Sequence, residues 1–198
     1  MRKYKSFFLI ILVLIIPSTV IYFFHTLSNL GDDYAPVGIV GVQHLGHDYN
    51  VSDFYVNKYS GSNVGREGGG GGSVCCILIP LTWHPGLIVE VRWQVADWSH
   101  ENRKEIEAGN YVSIRKEGTY IAKVPVEKYQ KAGDLYVHFF PKGKVRVVST
   151  MHSILSPSHP ILYGAQDGGT TATSGSAITE LFTQYELQEF RSRRNSWR

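Results

Sequence analysis

Apolar and polar positions alternate through the middle of this chain in short bursts separated by turn residues. Leu87, Val89, Val91 and Trp93 fall on one side of an extended run, and Ile88, Glu90 and Arg92 on the other. Period-two alternation of this kind marks a half-buried strand. Similar runs rich in β-branched and aromatic residues predict strands at 36–44, 54–59, 74–79, 87–96, 111–115, 119–126, 135–140 and 145–152. The last two flank Pro141-Lys142-Gly143-Lys144, which reads as a hairpin with a four-residue loop. Short helices are expected at 99–108 and 127–131, and no long 3.6-residue period occurs between residues 31 and 175. Many short strands at such spacing predict a mainly β body, an antiparallel β-sandwich or a partly open barrel.

Two segments break this texture. Residues 7–24, opening with Phe7 and closing with Phe24, carry no charge over 18 positions. That length suffices for a membrane span, and no small-residue cleavage pair follows it. It reads as an uncleaved transmembrane signal anchor. Arg2, Lys3 and Lys5 precede it, and Asp32 and Asp33 are the first charges after it. Basic residues stay on the cytoplasmic side. The expectation is therefore a single pass through a bacterial inner membrane. Residues 1–6 form a cytoplasmic tail and the body from residue 25 lies in the periplasm.

The second break follows the β body, which is taken as 25–163. Residues 164–177 are small, polar and glycine-rich, the composition of a flexible linker. Residues 178–198 then regain helical spacing: Ile178, Leu181, Phe182 and Tyr185 share one face, with Ser176 as cap. This predicts a C-terminal amphipathic helix with a basic tail. It either docks on the body or serves a partner or a lipid surface.

Charge narrows the field of functions. The chain holds 20 basic and 17 acidic side chains, a net of +3, and Arg2, Lys3 and Lys5 account for that excess. The neutral body has no basic stripe, which argues against nucleic acid as a partner. The glycine run at 68–72 is followed by no Gly-Lys-Ser/Thr, so it is no phosphate cradle. No serine nucleophile elbow and no paired carboxylates stand out. His44 and His47 have metal-like spacing beside Asp48, yet a zinc site needs three or four ligands. Neither catalytic residues nor a metal or cofactor site are expected.

Cys75 and Cys76 are the only cysteines. Neighbouring Cα atoms sit closer than an ordinary disulfide prefers, so a bond between them closes a strained eight-membered ring. An oxidising compartment makes free thiols a liability. A vicinal disulfide, two reduced thiols, and an intermolecular or metal-binding use are the alternatives.

Several motifs together resemble one family. They are Tyr49-Asn50-Val51-Ser52-Asp53-Phe54-Tyr55-Val56-Asn57, Gly61, the glycine-rich Cys75-Cys76 block with Pro80, Trp83 and Pro85-Gly86, and Val89-x-Val91-x-Trp93. Val124-Pro125-Val126, Tyr129, Leu135 to Phe139 and Pro157-Ser158-His159-Pro160 continue the pattern. The chain thereby resembles, over residues 37–162, the bacterial envelope family called domain of unknown function 3304. That resemblance implies a small envelope protein, and some members look like immunity proteins against type VI secretion phospholipase effectors. Many members carry a lipidated cysteine where this chain has an apolar span.

The resulting expectation is a membrane-anchored periplasmic protein that binds a protein partner, an incoming effector or toxin, and catalyses nothing. Gly68, Ser73, Trp83, His84 and Gly86 are the candidate contact residues. An accessory protein of a secretion or surface assembly is the alternative, and a thiol-redox enzyme using Cys75 and Cys76 stands third.

Overall fold

A computed structural model describes residues 33–66, 68, 73–165 and 170–195. The predicted tail 1–6 and the span from Phe7 to Phe24 lie outside the described residues. Among the described residues no helix is long and apolar enough to cross a membrane.

The body is mainly β, as the alternation predicts. Among the described residues ten strands form two sheets: β1 (Tyr34–Gln43), β2 (Tyr49–Val56), β3 (Tyr59–Ser60), β4 (Val74–Pro80), β5 (Ile88–Asp97), β6 (Arg115–Pro125), β7 (Asp134–Phe140), β8 (Lys144–Thr150), β9 (Thr173–Ser174) and β10 (Ser176–Ala177). Helix α1 (Arg103–Glu107) lies between β5 and β6, and α2 (Gln184–Asn195) follows β10. Sheet 1 runs β4-β1-β7-β8-β9 and sheet 2 runs β10-β6-β5-β2-β3. Their inner faces contribute to one apolar cluster that includes Ile39, Ile77, Leu135, Val137 and Phe139 from sheet 1 and Phe54, Val91 and Trp93 from sheet 2. The arrangement is consistent with a β-sandwich.

The expectation of purely antiparallel pairing needs correction. β1 and β7 pair in parallel, Ile39 beside Leu135 and Gln43 beside Phe139, so sheet 1 is mixed. Ninety residues lie between Gln43 and Asp134, ample for the long crossover that parallel neighbours require.

Local chemistry shifts several other boundaries. β2 starts at Tyr49 because a bulge between Val51 and Asp53 resets its alternation. It ends in a tight turn at Asn57 and Lys58, both with positive φ, that returns the chain to β3. Residues 111–115 form no separate strand; one long β6 starts at Arg115 instead. Asn102 caps α1 by accepting the Lys104 N–H, and residues 127–131 are not helical. The β7–β8 loop is one residue shorter than expected, since Phe140 pairs with Lys144. Gly143 sits there at φ +63°, where a Cβ would fall 2.5 Å from the Tyr120 ring.

The stretch read as a linker contains structure. β9 pairs with β8 in sheet 1 and β10 pairs with β6 in sheet 2, so residues 173–177 cross from one sheet to the other. Gly175 makes the crossing, its N–H donating to the Gly143 carbonyl; a Cβ there would meet Trp93 at 2.6 Å.

This strap also moves the C-terminal helix. The Ile178 N–H donates to the Thr119 carbonyl, so the chain at 176–178 is committed to sheet 2 and cannot be helical. The helix begins at Gln184 and its cap is Thr183, not Ser176. The Glu186 N–H donates to Thr183 Oγ1 (3.2 Å), and the Thr183 N–H donates to Glu186 Oε2 (2.9 Å), a capping box.

The helix docks on the outer face of sheet 2. Arg92 on β5 donates to both Glu186 oxygens (2.9 and 3.0 Å), to Glu90 (2.8 Å) and to the Leu181 carbonyl (2.7 Å). Its guanidinium lies 4.9 Å from the centre of the Phe182 ring. Phe182 is buried, edge-on to Tyr55 at 4.6 Å and to Phe190 at 5.1 Å. The Arg92 hydrogen bonds hold the Glu186 carboxyl far below the usual carboxylate range, at about 2. Of the two readings of this segment, docking on the body is the one the contacts support. We therefore predict that Glu186→Gln costs about 1.5–3 kcal/mol in urea unfolding. It should also raise hydrogen exchange in 181–190 while leaving 134–150 unchanged. Unaltered exchange in 181–190 would refute the latch.

Candidate functional site

The strand period carries alternate side chains to the outer face of sheet 1. There β1 places Val40 and Val42, with His44 just beyond its end, and β7 places Tyr136, His138 and Phe140. This face is also buried. Residues after β8 return over it and supply Ile154, His159 and Ile161.

Three imidazoles meet under that cover. His44 Nε2 and His138 Nδ1 are 2.9 Å apart, one donating to the other. The His44 ring lies parallel to Phe140 at 4.6 Å, and the His138 and His159 rings are 5.2 Å apart. Tyr136 meets His159 edge-on at 4.7 Å. His159 Nδ1 lies 2.8 Å from the Ile161 carbonyl and donates to it. The remaining ring nitrogens, His44 Nδ1, His138 Nε2 and His159 Nε2, are sealed from solvent without a partner. Each such group costs about 1–3 kcal/mol.

Burial accordingly favours the neutral rings. It pushes His44 down to about 4, helped by Arg146 and His159. It holds His138 well below 6.5, with His44, His159 and Arg146 adding to the effect. His159 is also lowered, chiefly by burial. No group of three or more His, Cys, Asp or Glu among the described residues is placed to hold a metal ion.

The cluster separates the two histidines whose spacing resembled a metal pair. His44 turns inward, whereas His47 is exposed and pairs with Asp48 Oδ1 at 3.1 Å. Buried Gln43 fixes this corner. Its amide nitrogen reaches the carbonyls of Arg66 (2.8 Å), Gly46 and Gly65 (both 3.3 Å). Its oxygen accepts the Leu45 N–H at 2.6 Å. Arg66 adds a bond to the His47 carbonyl and another to Glu101, and its guanidinium lies over Trp98.

The candidate contact residues occupy three places. Gly68 borders a cleft with Gln43, His44, Arg66 and Tyr163. Ser73 borders another with Cys75, Cys76, Asp134 and Met151. The sulfurs of Cys75 and Cys76 are bonded to each other, Cys75 being exposed and Cys76 half-buried. Trp83 belongs to the β4–β5 connection, where it is half-buried against the core and its indole N–H donates to the Val126 carbonyl at 2.8 Å. His84, Pro85 and Gly86 beside it are exposed. So are Leu78 (62%), Leu81 (45%) and Ile88 (52%).

Residues 46–147 match the family described as a protein of unknown function, DUF3304. The chain belongs to this family. DUF3304 residues thus include Arg92, His138 and the Cys75-Cys76 block, while His44, His159 and α2 lie outside the matched stretch. No curated relative and no solved structure matches the chain.

Sequence reasoning missed the histidine cluster. A strand at 135–140 puts His138 on the face opposite Leu135, Val137 and Phe139, but alternation gives no sign of a cover. The lowered pKa values set a pH window. Unfolded histidines bind protons from about 6.5 downward, and the folded ones do not until lower pH. Stability is therefore fully present above 6.5 and falls as pH drops from 6.5 toward 4. Glu186 adds a further loss only below its ordinary value of 4.5. The unfolding free energy from urea titration should fall between pH 7 and pH 5, by on the order of 1 kcal/mol per pH unit, and His138→Phe should flatten that slope. An equal slope in the variant would refute the assignment.

Proposed function

We propose that this DUF3304 protein works by contact, as a periplasmic binding domain tethered to the inner membrane through residues 7–24. Its partner is an incoming protein effector, of the phospholipase type that the family resemblance suggests, and the domain acts as an immunity protein. The observation that carries this reading is the exposure of Leu78, Leu81 and Ile88 within one 11-residue stretch around the Trp83 loop. Large aliphatic side chains left in solvent on and beside one loop are candidates for an interaction surface. Trp83 serves that surface indirectly: its bond to Val126 fixes the loop that presents His84 and Pro85.

The uncharged run at 7–24, with basic residues before it and acidic ones after it, supports the tether and its direction. Tethering matters physically. An inhibitor confined beside the bilayer meets a lipid-attacking enzyme at an effective concentration that approaches millimolar. The arrangement needs no turnover and no cofactor.

The test is co-production in a bacterial periplasm with a phospholipase effector encoded beside this chain. The intact protein should restore growth, and Leu81→Asp with Ile88→Asp should weaken effector binding at least about tenfold, some 1.4 kcal/mol. Both positions are exposed, so the variants should fold. Unrelieved toxicity, or undiminished binding by the double variant, would overturn the proposal.

A further inference from the structure

A cavity of about 190 Å³ opens at the other end of β5 from the Trp83 loop. Val95 lines it, seven residues along β5 from Ile88, or roughly 23 Å at ~3.3 Å per residue. Leu45, Phe140 and Pro141 add apolar wall, and Tyr49 and Tyr120 add two aromatic faces. Glu117 and Lys142, both exposed, also border it and bring one charge of each sign.

We propose that this cavity is a seat for a single aromatic ring, carried by a side chain of a protein partner. Size is the first argument. An apolar cavity of ~150 Å³ holds benzene, whereas sites for drug-sized ligands run to ~300–1,000 Å³. The space here takes one ring and little more. Wall chemistry is the second. Tyr49 and Tyr120 line it with aromatic rings, and aromatic pairs are favoured beyond the area they bury. Opposite charges at the rim give neither an anion nor a cation a net attraction, but they can meet the polar backbone around an inserted side chain.

Preorganisation is the third argument. Tyr120 is held from one side by Trp93, stacked at 5.3 Å, and from another by the β7–β8 turn, where Gly143 leaves no room for a Cβ. The wall therefore stands before anything binds. Interfaces concentrate their affinity in aromatic anchors that fill such pockets. The identity of the partner rests on the function proposed above; the selectivity for a ring does not.

Indole is the probe, titrated into the full chain and followed by NMR. Saturable shifts at the Val95 methyls and at the Tyr49 and Tyr120 rings are expected, with a Kd on the order of 1 mM. Leu45→Trp, which fills the mouth, should weaken binding at least about tenfold. Tyr49→Leu, which keeps bulk but removes an aromatic face, should weaken it less, and it serves if the tryptophan variant does not fold. No saturable shift, or equal binding of the aliphatic probe cyclohexanol, would overturn the ring site. Loss of indole binding in Leu45→Trp with effector protection intact would overturn the partner's use of it. Indole binding to a protein that protects against no effector would leave the ring site standing and remove the immunity reading alone.

Discussion

β7 is buried on both faces, and much of the structure depends on that. Leu135, Val137 and Phe139 point into the space between the sheets, while Tyr136, His138 and Phe140 point the opposite way and are buried as well. A sheet with one solvated face needs one layer of cover. Sheet 1 needs two, sheet 2 on the inside and a further layer outside. The chain after β8 supplies the second, bringing Ile154, His159 and Ile161 across Val42, Tyr136 and Val148.

The same stretch of chain then closes the rest of the body. Having covered sheet 1, it pairs with β8 as β9, crosses at Gly175 over Trp93, pairs with β6 as β10, and covers the outer face of sheet 2 with Phe182 and α2. The residues described after β8 thus form a wrap, all of it beyond the stretch matched by the family. It protects two short edges, since β9 and β10 are edge strands of two residues each. Very short edge strands offer little to an intruding chain. β4 is the long exposed edge, and it carries Leu78 and the exposed Cys75.

What the sequence revealed follows from what period-two patterning encodes. It records which side chains face apart, so most strands and the inner face were legible, Val89, Val91 and Trp93 above all. It does not record direction, so the parallel pairing of β1 with β7 could not be read. A bulge at Ser52 broke the pattern and hid the start of β2. Residues 173–177 looked like linker because Thr, Ser, Gly and Ala lack bulk, yet their pairing uses backbone groups that every such residue has. Of the candidate contact residues, the exposed His84 and Gly86 suit a surface role. Trp83 combines a large ring with a donor, and the Val126 carbonyl takes that donor. The histidine cluster was invisible because His44, His138 and His159 come from distant parts of the chain, and only the cover brings the third to the other two.

The two outer layers are held by different chemistry, and this ranks their stabilities. Over sheet 2, Arg92 makes three hydrogen bonds to the covering segment, two of them to the Glu186 carboxylate oxygens, and such charge-assisted bonds are about twice as strong as neutral ones. Over sheet 1, the cover rests on apolar and ring contacts around three imidazoles, each with an unpartnered nitrogen. Opening that cover lets water reach those nitrogens and returns part of their desolvation cost. Closing it again must rebury them. Local opening begins where the net cost is least. The layer over sheet 1 therefore opens before the latch over sheet 2, and the inner core, whose described polar groups such as Gln43 and Tyr129 are hydrogen-bonded, opens last.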